Sequence, residues 1–196
     1  MENKADIKQV LVILGSPRRK GNSSTLAARI SRGAEAAGAQ VETLFLHNLK
    51  ISPCRGCDTC QKGDSVGCAI KDGMQEIYPK LIEADAWIIA SPVYWFTMSA
   101  QTKIFMDRCY ALPAYTGHKK NPFVGKRIAI AMSYGDVDPF KSGCVNALRT
   151  FQDAYRYAGS KIVGMVYGSA MKPGEIADNK ALMQEAEELG KRLVSR

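Results

Sequence analysis

Apolar residues along this chain fall into two alternating arrangements. One is the short continuous run: residues 7–14, with Val10, Leu11, Val12, Ile13 and Leu14 in succession, then 41–46, 86–91, 127–133 and 161–167. Runs of this length, rich in aliphatic side chains and bounded by Gly, Pro or polar clusters, predict strands. Those at 7–14 and 86–91 are expected to be buried on both faces. The other arrangement is helical spacing. Leu26, Ile30 and Ala34 lie four apart and predict a helix through about residue 37, closed by Gly38. Ile77, Leu81 and Ile82 predict a helix over about 74–84, in which Pro79 implies a kink or an early end. Further helices are predicted over about 99–112, 144–158 and 176–194.

Strand and helix alternate five times. That pattern predicts an α/β fold, an open parallel sheet with helices on both faces and right-handed crossovers. No repeat or linker divides the chain, so residues 1–196 are expected to form one domain with a cysteine-containing insertion at about 47–72. A composition of 46% hydrophobic and 23% charged residues is globular and excludes a disordered chain. The apolar runs at 10–14 and 86–90 are far short of the roughly 20 residues a membrane-spanning helix needs. Lys4 and Lys8 precede only five apolar residues before Gly15, too few for a signal peptide, and a cytoplasmic protein is expected. The formal charge is +8, from 27 Lys+Arg against 19 Asp+Glu. No nucleic-acid-binding motif accompanies it, and Lys119-Lys120 and Lys126-Arg127 read as a solvated face. Neither His47 nor His118 accompanies a nucleophile motif, so hydrolysis has no support.

In open parallel sheets, ligands bind beyond the carboxyl ends of the strands. The loop after the first strand is Ser16-Pro17-Arg18-Arg19-Lys20-Gly21-Asn22-Ser23-Ser24-Thr25. Hydroxyls and backbone N–H donors at a helix start suit a phosphate, and Arg18 adds charge-assisted bonds. The plainer reading is a helix capped by Asn22 or Ser23. G-x-G-x-x-G and G-K-[ST] are both absent, which disfavours the usual dinucleotide site and the P-loop. After the third strand comes Pro92-Val93-Tyr94-Trp95-Phe96-Thr97. Three consecutive aromatics in a turn suit either a wall for a flat ring or a cap over the core.

These segments together are specific. Ser16-Pro17-Arg18 with Gly21-Asn22-Ser23, then Ala84-Asp85, Ser91-Pro92-Val93-Tyr94-Trp95, Lys103 and Asp107-Arg108, resemble the NADPH-dependent FMN reductase branch of the flavodoxin-like superfamily. The resemblance implies a five-stranded parallel sheet of order 2-1-3-4-5 with FMN at its carboxyl edge. It implies that Ser16, Arg18, Gly21, Asn22, Ser23, Ser24 and Thr25 hold the FMN phosphate. Pro92, Val93, Tyr94, Trp95, Phe96 and Thr97 would line the isoalloxazine ring, and Ser133, Tyr134 and Gly135 would close its other edge.

Four of the six cysteines form the pattern C-x2-C-x2-C-x7-C: Cys54, Cys57, Cys60 and Cys68. Clustered cysteines in a chain without a signal peptide point to metal or redox work. Tight spacing of this kind suits a [4Fe–4S] cluster better than structural zinc, which more often uses two separated C-x2-C pairs. The pattern resembles that of the iron–sulfur flavoproteins, a subgroup of the same superfamily. Lys71-Asp72-Gly73-Met74 equally resembles cluster-free reductases, in which this stretch is an ordered lid. Cys109 and Cys144 fall in predicted helices and read as small buried apolar residues.

The function these readings imply is an FMN-dependent NAD(P)H oxidoreductase. Hydride would pass to the flavin N5 and electrons onward to a flavin, a quinone or an iron–sulfur cluster, with no side chain named as a general acid or base. The alternative is a flavodoxin-like or iron–sulfur flavoprotein electron carrier between protein partners, although such small carriers are usually acidic. A cofactor-free sensor or binding module is a third reading. Arg18, Arg19 and Lys20 could serve the FMN phosphate, a 2′-phosphate or neither, which leaves NADH and NADPH both open. Partners are expected to be a small-molecule donor and acceptor, without nucleic acid or membrane. The exposed aromatics of the third loop predict a homodimer or homotetramer.

Overall fold

The computed structural model describes residues 9–195. Ile7 and Lys8, the start of the first predicted strand, and Lys4 lie outside the described residues. Strands β1 (Gln9–Leu14), β2 (Gln40–Phe45), β3 (Ala86–Tyr94), β5 (Arg127–Tyr134) and β6 (Lys161–Ser169) run parallel in the order β2-β1-β3-β5-β6. This is the flavodoxin-like order, second-first-third-fourth-fifth among the long strands. A two-residue strand, β4 (Thr97–Met98), folds back antiparallel on β3. Among the described residues no helix is long and apolar enough to cross a membrane.

The continuous aliphatic runs sort by strand alternation into two cores. Leu11, Ile13, Trp87, Ile89, Ile128 and Ile130 face one side, against α2 (Met74–Glu83), α3 (Ala100–Arg108) and α4 (Cys144–Tyr157). Val10, Val12, Ala86, Ile88, Ala90, Ala129 and Ala131 face the other, against α1 (Asn22–Ala36) and α5 (Lys180–Val194). Small residues on that second face match a close helix pair. A Cβ on Gly33 would fall 1.9 Å from the Glu187 carbonyl, and one on Gly190 1.9 Å from the Ile30 carbonyl, so the two backbones touch there.

Several predicted elements change on folding. The helix expected over 99–112 is α3 followed by a 3-10 segment at Cys109–Thr116. The C-terminal helix is a short 3-10 turn, Glu175–Asp178, and then α5, capped by the Asn179 side chain, which accepts from the Leu182 N–H. α2 keeps its predicted length with Pro79 inside it, the proline on its exposed side. Lys126 and Arg127 are not a solvated face. The buried Lys126 ammonium donates to the Ile82 and Ala84 carbonyls at the end of α2. Arg127 donates to the carbonyls of Arg192, Leu193 and Ser195, closing α5. Cations at helix C-termini satisfy orphan carbonyls and oppose the dipole, a use of charge that linear sequence does not reveal.

One buried polar network fixes the carboxyl edge. Ser91, Ser99 and Thr102 are fully buried. The Ser99 hydroxyl donates to the Gly15 carbonyl at 2.7 Å and lies 2.9 Å from the Thr102 hydroxyl. It also accepts from the Thr102 N–H as the N-cap of α3, while the Ser99 N–H donates to the Ser91 hydroxyl at 2.9 Å. Gly15 closes the other side: its N–H donates to the Ala90 carbonyl at 2.8 Å, and a Cβ there would fall 1.8 Å from the Thr102 hydroxyl. Ser99→Ala strands the Gly15 carbonyl and removes a helix cap. Urea unfolding is expected to show a loss of about 1–3 kcal/mol with an unchanged m-value. A midpoint equal to that of the parent chain would contradict the role given to this hydroxyl.

Candidate functional site

The ends of β1, β3, β5 and β6 enclose one cleft. It brings together Ser16, Arg18, Gly21, Asn22 and Ser23 from the first loop, Pro92, Val93 and Tyr94 from β3, and Ser133, Tyr134 and Gly135 from β5. The other named residues lie apart from its walls. Ser24 and Thr25 sit in the first turn of α1, where their hydroxyls donate back to the Arg18 and Gly21 carbonyls. Trp95, Phe96 and Thr97 belong to the hairpin that turns β3 into β4, with Trp95 93% exposed at its tip. Ala170, Met171 and Pro173, which follow β6, also line the cleft and went unread in the sequence. The signal for them was positional, since they follow the carboxyl end of the last strand.

The first loop is built to present donors inward. Ser16 Oγ accepts from the Arg18 N–H at 3.0 Å, and the Gly21 N–H donates to the Arg18 carbonyl at 2.9 Å. A Cβ on Gly21 would meet Ser16 Oγ at 3.0 Å, so a larger residue would crowd this turn. The first helical bond here is Thr25 N–H to the Gly21 carbonyl, which leaves the N–H groups of Asn22, Ser23 and Ser24 without helical acceptors. Ser23 Oγ is buried and has no partner. An orphaned hydroxyl beside three free N–H groups at the positive end of a helix fits a phosphate. Asn22 has a different task. Its amide donates to the Lys172 carbonyl at 3.0 Å and its oxygen accepts from the Ile176 N–H at 3.3 Å, so its side chain ties the segment after β6 to this loop. Arg19 leaves the cleft to lie 4.4 Å from the Phe45 ring centroid.

The aromatic hairpin is rigid and strained. Trp95 and Phe96 both have positive φ, 47° and 66°, where Gly or Asn is usual. The start of α4 holds them. Asn146 Nδ2 donates to the Phe96 carbonyl at 3.2 Å, and Gly143, at φ 78°, leaves room that a Cβ would fill 2.5 Å from Phe96. Tyr94 is thereby fixed against the cleft beside Pro92 and Val93.

A second cavity, of about 270 Å³, lies under the segment between β2 and α2. All four clustered cysteines line it, with Arg108 and Tyr110 among the facing residues. The cysteines are free thiols: Cys54 and Cys57 exposed, Cys68 half-buried, Cys60 buried. Each sulfur has a donor nearby. Cys54 Sγ accepts from the Gly56 N–H at 3.5 Å, Cys60 Sγ from Gln61 at 3.3 Å, and Cys68 Sγ from Arg108 Nη2 at 3.5 Å. The Thr59 N–H and hydroxyl draw the Cys57 thiol below its ordinary value. Gly56 and Asp58 both have left-handed φ, 61° and 50°, which curls the loop between its cysteines. Such nests of N–H groups recur at iron–sulfur sites. Among the described residues, no three His, Cys, Asp or Glu side chains converge as ligands of one ion. A cubane cluster asks something different, because each thiolate binds its own iron. Four thiols on one cavity are the donor set that such a cluster uses. Cys109 and Cys144 are buried elsewhere in the core, and burial raises both thiols, Cys144 to about 12.

Asp72 closes the cysteine loop. Its carboxylate accepts from the Ser52 N–H at 2.8 Å and the Met74 N–H at 3.0 Å, and pairs with Arg108 Nη1 at 2.6 Å and Nη2 at 3.1 Å. Burial pushes this carboxyl up, but the Arg108 guanidinium and the two N–H groups outweigh it and hold it below the usual carboxylate value.

A phosphate-ready helix start and a cleft walled by Pro92, Val93 and Tyr94, at the carboxyl edge of a flavodoxin-like sheet, fit the class of proteins that seat a mononucleotide there. The sequence comparisons then identify the family. Residues 9–167 match the family described as NADPH-dependent FMN reductase. An iron–sulfur flavoprotein of Archaeoglobus fulgidus is 33% identical over 92% of this chain and 76% of its own length. Another, of Methanosarcina thermophila, is 31% identical over 78% of this chain and 75% of its own. Among solved structures, the NAD(P)H:quinone oxidoreductase of Methanothermobacter marburgensis superposes with a TM-score of 0.73 at 20% identity, covering 98% of this chain and 99% of that one. The chain belongs to the NADPH-dependent FMN reductase family, in its iron–sulfur flavoprotein branch, and is an oxidoreductase.

Because the folded Asp72 carboxyl lies below its unfolded value, its contribution is present above about pH 4 and is lost as pH falls through the folded value. Asp72→Asn is expected to lose about 3 kcal/mol at pH 7, and the difference from the parent chain to shrink steadily below pH 4. Denaturant unfolding across pH 2–7 checks this, and a pH-independent difference would contradict it.

Proposed function

We propose that this protein is an FMN-dependent NAD(P)H oxidoreductase that passes electrons from the cleft to a [4Fe–4S] cluster on Cys54, Cys57, Cys60 and Cys68. The observation that carries the flavin half is the buried, unpartnered Ser23 hydroxyl at the start of α1. The FMN phosphate is its partner, bound also by the N–H groups of Asn22, Ser23 and Ser24, with Arg18 beside it on the cleft wall. Pro92, Val93 and Tyr94 flank the ring on one side, and Ser133, Tyr134 and Gly135 close the other. Bound FMN would accept a hydride from a nicotinamide and give up its two electrons one at a time, with the proton going to solvent. The side chains bind, orient and exclude water, and none is needed to transfer a proton.

The cysteine pocket supports the second redox group. Four thiols line one cavity, each sulfur beside an N–H or hydroxyl donor, and two relatives of the chain are iron–sulfur flavoproteins. The exposed hairpin tip, Trp95 and Phe96, supports assembly into a homodimer or homotetramer.

Ser23→Ala removes a hydroxyl that has no partner within the protein, so stability is expected to stay unchanged. FMN affinity should fall about 10- to 100-fold, the loss of a hydrogen bond to a charged group. Equal FMN affinity, measured by flavin fluorescence quenching, would contradict the phosphate assignment. Anaerobic addition of NADH or NADPH to the FMN-loaded protein is expected to bleach the flavin absorbance, with turnover when a quinone is supplied. Tight FMN binding without reduction by either donor would refute the reductase reading in favour of an electron carrier. Iron and sulfide analysis of anaerobically purified protein tests the cluster, for which four of each per chain are expected.

A further inference from the structure

The cysteine pocket contains one expense that its loop does not explain. Arg108 is 1% exposed, and stripping a guanidinium of water costs several kcal/mol unless its donors are met. Arg108 spends them across the whole length of the cysteine segment. Nη1 donates to the Ser52 carbonyl at 2.8 Å, just before Cys54. Both Nη1 and Nη2 grip Asp72, beyond Cys68. Nη2 reaches the Ile70 carbonyl at 3.4 Å and Cys68 Sγ at 3.5 Å. Nε is buried and unpartnered, in a residue that lines the cavity.

The four sulfurs are not held alike. The donors to Cys54, Cys57 and Cys60 are Gly56, Thr59 and Gln61, all within the same short loop. Cys68 is the cysteine whose sulfur accepts directly from a residue outside the loop, Arg108 at the end of α3, whereas Cys60 reaches the framework only through Gln61, which also donates to the Tyr110 carbonyl at 3.1 Å. Its backbone is fixed as well: the Cys68 N–H donates to Tyr115 Oη at 3.3 Å, and Tyr115 Oη donates to Gln75 at 2.9 Å. The Tyr115 ring fills the space beside Gly67, where a Cβ would lie 2.6 Å from it.

We infer that Arg108 is the positioning residue of the cysteine site: it sets the place of Cys68 relative to the other three cysteines and gives its sulfur an N–H donor from the rigid fold. Asp72 already balances the charge of Arg108, so what Arg108 gives the sulfur is chiefly direction. Lysine could keep the pair with Asp72 but could not also span Ser52, Ile70 and Cys68, because an ammonium lacks the planar fork. The inference rests on the cluster reading above for the group that the four sulfurs hold.

Arg108→Lys tests it, with Arg108→Gln as a second variant and circular dichroism to confirm folding. After anaerobic reconstitution with ferrous iron and sulfide, Arg108→Lys is expected to bind iron as the parent chain does. The midpoint potential of its cluster should be more negative, because a lost N–H···S bond no longer stabilises the reduced form. An unchanged potential overturns the inference. If the parent chain takes up no iron, the cluster reading falls on its own, and labelling of the metal-free proteins by iodoacetamide decides the role of Arg108. Cys68 labelling relative to Cys54, followed by mass spectrometry, should then fall about fivefold in Arg108→Lys, because the thiolate that iodoacetamide attacks has lost one modest hydrogen bond. An unchanged ratio overturns it.

Discussion

The hydroxyl of Ser99 serves three segments at once. It holds the Gly15 carbonyl where the first loop leaves the sheet, caps α3, and sits 3.4 Å from the Ser91 hydroxyl where β3 turns toward its hairpin. Buried away from solvent, each of these groups must be met by protein. The phosphate-ready loop and the aromatic wall therefore keep a fixed relation, because both are tied to one buried oxygen. The free donors of Asn22, Ser23 and Ser24 are useful only while that relation holds, since a phosphate and a ring on one ligand have a set separation.

α3 extends the same constraint in the other direction. It begins at the Ser99 network and ends at Arg108, nine residues and about 13 Å further on. One end is fixed by hydroxyls at the carboxyl edge, the other by an ion pair that closes the cysteine segment. The helix is a strut between the cleft and the thiol pocket. Under the proposed function, a short helix buried at both ends would hold the two redox groups at a fixed separation. The strained Trp95–Phe96 turn sits on the cleft side of this frame, held by Asn146 and packed against Gly143.

The architecture was legible because the aliphatic runs and helical stripes carry it. The strand order, both helix faces and the first loop follow from periodicity and from the resemblance in residues 11–108. What stayed hidden depends on contacts distant in sequence. Lys126 and Arg127 look like surface charge until α2 and α5 bring carbonyls to them. The Asn22 side chain looks like a phosphate ligand until residues 170–176 arrive to occupy it, leaving only its backbone N–H for that task. The aromatic triplet reads as one unit, yet two positive φ angles separate Tyr94, on the cleft, from Trp95, in solvent. Arg108 reads in sequence as part of a motif, but its bonds to Ser52, Ile70 and Asp72 span the cysteine loop and have no local signature.

The central claim is that one frame seats a flavin at the carboxyl edge and an iron–sulfur cluster in the cysteine pocket. Crystals of anaerobically reconstituted protein, with diffraction recorded on both sides of the iron absorption edge, test both at once. The account predicts FMN in the cleft with its phosphate on Ser23 and the start of α1, and iron-specific density among Cys54, Cys57, Cys60 and Cys68. Flavin density away from Ser23, or a cysteine pocket without iron in flavin-loaded crystals, would contradict it.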